Sequence, residues 1–444
     1  MTTVDAFIAA TRFGLGPRPG ELAAIGKDPR GWLRAQVKPA EIPAELAKLP
    51  PSRDSIGAFL ASRKGGAEAI KSLFQTKLKT VFENEVNARG LAMVRSTAPF
   101  RERLVVFWAN HFTVSAARFF AGPPAGAFER EAIRPNVFGK FADMLLAAAK
   151  HPVMLLYLDN AGSIGPGSPA AKLVKYGLNE NLAREILELH TLGVKGGYTQ
   201  ADVTTLAKLI TGWSVDGISP RDGNSGEFKF RPIAHEPGAK TLLGRAYGQG
   251  GLAEGEAALR DLARHPSTAT FIATKLARHF VADNPPPVTV ARLAKLFRDT
   301  DGDLAQVSLG LVDLAEAWAT KQPKVKSPHD FAIAAMRAVG INELPPKGFI
   351  GTFHTLHQMP FTAPSPAGWP DTAADWLTPE ALMRRIEWAR LVAKLVQRQI
   401  EPNKMLVDSL GPMATPSLMT AVAQAPSRDD GIALVFASAE FQRR

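Results

Sequence analysis

Arg101-Glu102-Arg103-Leu104-Val105-Val106-Phe107-Trp108-Ala109-Asn110-His111-Phe112 places Leu104, Phe107, Trp108, His111 and Phe112 at the i, i+3, i+4, i+7, i+8 spacing of one helix face. That spacing predicts a helix whose apolar face is buried. The same period recurs along most of the chain, broken by Pro and Gly. Near the C-terminal end Thr378 reads as an N-cap with Pro379 at the first helical position, and Leu382, Ile386, Ala389, Ala393 and Val396 form the apolar stripe that follows. The expected fold is therefore mainly α, a multi-helix globular bundle.

One segment departs from the helical period. Within the glycine-rich residues 223–251, Phe228 and Phe230 alternate with Lys229 and Arg231 ahead of a His235-Glu236-Pro237-Gly238 turn and residues 240–243. Alternation beside a Pro-Gly turn predicts a small β-hairpin inserted in the bundle. Residues 122–126, 162–169, 285–287 and 362–370 read as loops, not as domain linkers, and no internal repeat is found, so residues 1–444 read as a single unit.

Composition removes several function classes. With 45% hydrophobic and 21% charged residues the chain is globular in character, not disordered. Fifty-three Lys and Arg against 42 Asp and Glu leave a net charge of +11, but no run of five basic residues occurs and clusters such as residues 321–326 are diluted. No nucleic-acid motif accompanies the charge, so a solvated basic surface is expected and nucleic acid is not an expected partner. The absence of cysteine removes disulfides, thiolate metal sites and cysteine nucleophiles. No run of about eighteen apolar residues occurs, so no membrane span is expected. Residues 1–16 lack a basic stretch followed by an apolar one, which gives a cytoplasmic expectation, with the periplasm as the alternative.

Familiar motifs fail on spacing. Gly14, Gly16 and Gly20 have one residue too many for a dinucleotide fingerprint, and residues 20–27 miss a phosphate loop by one. Residues 299–303 imitate the start of a calcium loop, but Gly310 stands where its last carboxylate belongs, so Asp303 is read as a helix cap.

The densest polar segment is residues 179–193. Asn179 is placed to cap a helix with Leu182, Ile186 and Leu189 buried, while Asn181, Glu185 and Glu188 share a face near Arg184 and His190 points away. Two carboxylates one turn apart suit a divalent metal or an acid–base pair. Ion pairs of Arg184 with Glu180 or Glu188 account for the same pattern without function. His111, beside Asn110, Trp108 and Phe112, fits either a core histidine or a ligand, and His235 at its turn is placed by exposure to meet a substrate. His151 and His265, each followed by Pro, read as helix boundaries. Residues 358–370 either line a pocket with Phe361 and Trp369 as walls or wrap back onto the helices.

Taken together, residues 12–20, 107–112, 157–160 and 179–193, with Thr211-Gly212-Trp213, residues 235–240 and Gly368-Trp369-Pro370, resemble the bacterial family termed domain of unknown function eighteen-hundred over essentially the whole chain. The resemblance implies a helical protein of undetermined activity. Many members carry an export signal and are encoded beside a second family resembling sulfatases and alkaline phosphatases, which makes such a protein the implied partner. His235-Glu236 stands here where relatives often carry His-Asp, so the acidic side chain is kept.

The sequence thus predicts an enzyme with Glu185, Glu188, His111 and His235 as catalytic residues and Asn110, Asn181, Arg184 and Trp369 in binding. The candidate metal ligands are Glu185, Glu188, His111, His190 and His235, for zinc, iron or manganese. The alternative is a non-catalytic binding or assembly partner of another protein.

Overall fold

The structure is a computed structural model and describes residues 2–39, 42–116, 118, 121–173, 177–219, 222–320, 324–343 and 348–444. Its centre is the helix Pro99–His111, opened by Pro99 in the first turn. Leu104, Phe107, Trp108, His111 and Phe112 are all buried. Trp108 and Phe112 stack at 6.3 Å, and Phe112 stacks on Phe141 at 6.1 Å. Burying a side chain of this size contributes about 1.5–3 kcal/mol.

Glu102 and Arg103 of the same helix are buried too. Glu102 pairs with Arg134 at 2.9 Å, and Arg103 pairs with Asp330 at 3.1 Å. A helix with buried residues all round lies inside a shell of others. Pro266–Phe280 packs against Pro287–Asp299, Phe141–Lys150 against Leu252–Arg264, and Pro379–Val396 against Arg428–Ala437. The buried apolar residues form one cluster running from Ala6 to Phe441.

Mainly α is the observed class, and a small hairpin does lie within residues 223–251. Its strands are Lys240–Leu242 and Arg245–Tyr247, antiparallel, with Lys240 opposite Tyr247. Leu243 and Gly244 join them with φ of 47° and 77°, the two left-handed residues that a tight hairpin turn requires. The strand Phe228–Phe230 does not cross the His235–Gly238 turn to meet them. It pairs upstream with Trp213–Val215, Trp213 opposite Phe230, and the Arg231 amide donates to the Gly212 carbonyl at 2.8 Å.

Local capping follows the sequence closely. Thr378 accepts from the Ala381 amide, and Asp303 accepts from Gln306 at 3.0 Å. His151 and His265 are N-caps, each Nδ1 accepting from the amide two residues on at 3.2 and 3.1 Å. The stripe of Pro379–Val396 is rotated from its expected position: Arg385 and Trp388 are buried, while Ile386 is exposed and Leu382 half-buried. Arg385 earns this place by donating to Gln442 at 2.6 Å and lying over the Phe331 ring.

Residues 181–191 are not one uniform α-helix. Asn181–Glu185 is α-helical, and Ile186–Thr191 winds as a π-helix, where i→i+5 bonding widens each turn. The buried residues become Leu182, Ile186, Leu187 and His190, with Leu189 only half-buried. Ala9–Phe13, Phe74–Leu78 and Glu129–Ile133 wind the same way.

The expected solvated basic surface fails at one cluster. Residues 321–323 lie outside the described residues, but Lys324 and Lys326 are buried. Lys326 donates to the carbonyls of Phe441 and Arg443 at 2.5 and 2.6 Å. Among the described residues no helix is long and apolar enough to cross a membrane.

Candidate functional site

A cleft of about 350 Å³ opens where the end of Pro99–His111 meets Pro266–Phe280, the start of Pro328–Ala338 and residues 358–372. Two residues expected in binding form part of its wall. The Asn110 amide donates to the Trp369 carbonyl at 2.9 Å, and its oxygen accepts from the Trp369 amide at 2.7 Å. Gly368 makes this approach possible: its φ is 84°, and a Cβ there would lie 2.4 Å from the Asn110 carbonyl oxygen. Residues 358–370 therefore both line the cleft and pack onto the helices.

Lys275 and His279, one helical turn apart, also line the cleft. The Lys275 ammonium donates to His111 Nδ1 at 3.0 Å and stands 5.6 Å from the Phe271 ring centre. Among the described residues it has no carboxylate at ion-pair distance. Burial, opposed by Asp371 and reinforced by Arg278, pushes Lys275 down to about 8. An ammonium has no acceptor, so His111 Nδ1 must be the unprotonated nitrogen, and its Nε2–H donates to the His190 carbonyl at 3.1 Å. Burial, Lys275 and His190 hold His111 well below the usual histidine range, so it is neutral.

His279 Nδ1 donates to Asp371 at 2.6 Å, and its buried Nε2 has no partner among the described residues. Burial pushes His279 down to about 4 against the opposing pull of Asp371, leaving Nε2 an unprotonated acceptor at neutral pH. Despite burial, the His279, Arg444 and Lys324 contacts hold Asp371 well below the usual carboxylate range. Arg444 bridges Asp371 at 3.1 Å and Asp330 at 2.7 Å. On the far side, Arg89 donates to Glu129 at 2.7 Å and to His329 Nε2 at 3.0 Å, with its guanidinium over Phe361.

The expected catalytic set is not assembled. His235 is buried rather than exposed, its Nδ1 against the Thr211 carbonyl at 2.8 Å and its Nε2 against Glu254. Glu254 draws the imidazole inward, away from the solvent-facing place expected for it. Glu185 and Glu188 do lie side by side, half-buried. Burial and the Glu188 charge raise Glu185, with Arg184 opposing, and Tyr198 donates to Glu188 at 3.4 Å. Arg184 pairs with Glu180 at 3.1 Å, and Asn181 is exposed with its amide held by Asn179 at 2.8 Å.

His111 and His190 are neighbours, with ring centres 6.1 Å apart, but both buried His190 nitrogens have no partner among the described residues, and burial pushes it down to about 3. Among the described residues no three His, Asp or Glu side chains are grouped as metal ligands. The zinc, iron or manganese site expected from Glu185, Glu188, His111, His190 and His235 is not formed by them.

Sequence reading missed Lys275, His279 and Asp371. Lys275 and His279 share a helix face at i, i+4 spacing, and Asp371 directly follows the Gly368-Trp369-Pro370 motif.

The fold and cleft define a mainly α-helical protein with a pocket lined by charged and histidine side chains. The chain belongs to the DUF1800 family, a protein of unknown function, whose model matches residues 8–443. No curated protein and no solved structure matches it.

Proposed function

We propose that this chain is an enzyme performing acid–base chemistry on a small organic molecule held in the cleft. His279 acts as proton acceptor, Asp371 orients its ring, and Lys275 supplies a nearby positive charge or proton. Phe107, Phe361 and Trp369 form the apolar walls that exclude water. The observation that carries the reading is the His279–Asp371 pair: Nδ1 is committed to the carboxylate and, among the described residues, Nε2 to nothing. A histidine oriented this way in a cleft has the arrangement a general base requires.

The test is proton exchange. Small carbon acids, including oxo acids and hydroxy acids, are incubated with the protein in heavy water and followed by NMR. Wild-type exchange above buffer for a member of the panel is expected, falling about 100-fold or more in His279→Gln. Exchange that survives this change, or none across the panel, argues against the reading.

A second reading is the assembly role, with the sulfatase-like companion as partner. It is supported by Met383, Leu391 and Leu395, which are 54%, 56% and 75% exposed at spacings of eight and four residues along Pro379–Val396. Light scattering of the mixed proteins checks it. A complex that survives Leu391→Glu with Leu395→Glu removes this surface as the contact.

A further inference from the structure

We propose that Lys275 is the covalent anchor of the cleft, and that the substrate is a small aldehyde or ketone held there as an imine. The inference rests on the acid–base reading of the same cleft and adds the class of substrate. Its geometric basis is a count of donors. Among the described residues, Lys275 is half-buried at the cleft, and the fully buried lysines spend their donors on oxygen: Lys240 donates to the Glu236 carbonyl, the Gly238 carbonyl and Glu254 at 2.7, 3.0 and 2.6 Å. Lys324 donates to Asp283 and to the Asp371 carbonyl, and Lys326 to two carbonyls. Lys275 lines the cleft and donates to one nitrogen, His111 Nδ1 at 3.0 Å.

That partner is neutral and an acceptor, so it positions the nitrogen without pairing its charge as a carboxylate would. Burial beside Arg278 favours the free amine, as nucleophilic lysines require. In the reaction the ammonium first loses one proton to water. The nitrogen lone pair then attacks the carbonyl carbon, and the oxygen takes up a proton to give a carbinolamine. The carbon–oxygen bond breaks, the oxygen departs as water with the amine hydrogens, and a carbon–nitrogen double bond forms. No oxidant or reductant is consumed. Protonated, this imine acidifies the adjacent C–H, the proton an acceptor at His279 would remove.

The experiment traps the adduct by reduction. Full-length protein is treated at pH 7 with pyruvate or benzaldehyde and sodium cyanoborohydride, then mapped by peptide mass spectrometry. The reduced adduct is expected on Lys275 at least about ten-fold faster than on the exposed Lys27 and Lys64. It should vanish from that peptide in Lys275→Met, with circular dichroism checking that the variant folds. Should Lys275→Met not fold, the wild-type ratio decides alone. Labelling of Lys275 no faster than of Lys27 and Lys64 overturns the proposal. Proton exchange without an adduct also overturns it while leaving the role of His279 intact, and an adduct without exchange supports the anchor while removing the base.

Discussion

Two places in the molecule bring together a lysine, an imidazole and a carboxylate. At Glu254, the carboxylate takes both His235 Nε2 and Lys240, whose other two donors reach backbone carbonyls. At Asp371, the carboxylate takes His279, Arg444 and Lys324, while among the described residues Lys275 in the same cleft bonds only an imidazole and His279 Nε2 has no partner. The residue types are alike, and the balance of donors and acceptors differs. A balanced buried cluster holds the fold together, whereas an unbalanced one beside a cavity has capacity left for a ligand.

The largest effect expected from this contrast is at the balanced cluster. Glu254→Gln leaves Lys240 buried without its counter-charge and should cost about 3–5 kcal/mol in urea unfolding. If Lys275→Met at pH 7 costs as much, the two clusters are alike and the contrast is broken.

How far the sequence could go is seen in the same residues. Periodicity located the face of Pro99–His111 because apolar side chains at helical spacing have one place to go. Capping by Thr378, Asp303, His151 and His265 was legible because it is settled within three residues. Asn110 and Trp369 were found as a motif, although the bonds joining them span 259 residues. The pairing of His235 with Glu254 and of His279 with Asp371 was not legible, since nothing local distinguishes which imidazole meets which carboxylate. The π winding of Ile186–Thr191 was missed because a uniform 3.6-residue period was assumed through it.

A smaller effect sharpens the contrast through pH. Lys275 is lowered from 10.5 to about 8 in the folded chain, so the unfolded chain binds more protons between those values. Stability contributed by this residue therefore rises as pH increases from 8 to 10.5 and is lost again as pH falls back through 8. Relative to Lys275→Met, wild type should gain about 2–3 kcal/mol across that window, read by urea unfolding at its two ends. A difference that stays flat with pH would mean that the fold does not disfavour the Lys275 ammonium, and would remove the contrast drawn for this cleft.

The smallest effect concerns the carboxylates that first drew attention. Glu185 is raised by burial and by the neighbouring Glu188 charge. Glu185→Gln relieves both, and at pH 7 it should leave the melting temperature unchanged or raise it, by less than about 1 kcal/mol in stability. A marked loss would mean that the pair holds a bonding role comparable to Glu254.

The wide turn at Ile186–Thr191 constrains the length of the chain as well as its composition. Restoring ordinary winding there with every residue kept would rotate the flanking portions against each other by about 100°, one residue's worth of turn. Leu189 would then compete for the interior site of His190, whose carbonyl receives the His111 bond that orients Lys275. A change of winding without any change in charge or hydrophobicity would thus reach the cleft through helical phase alone.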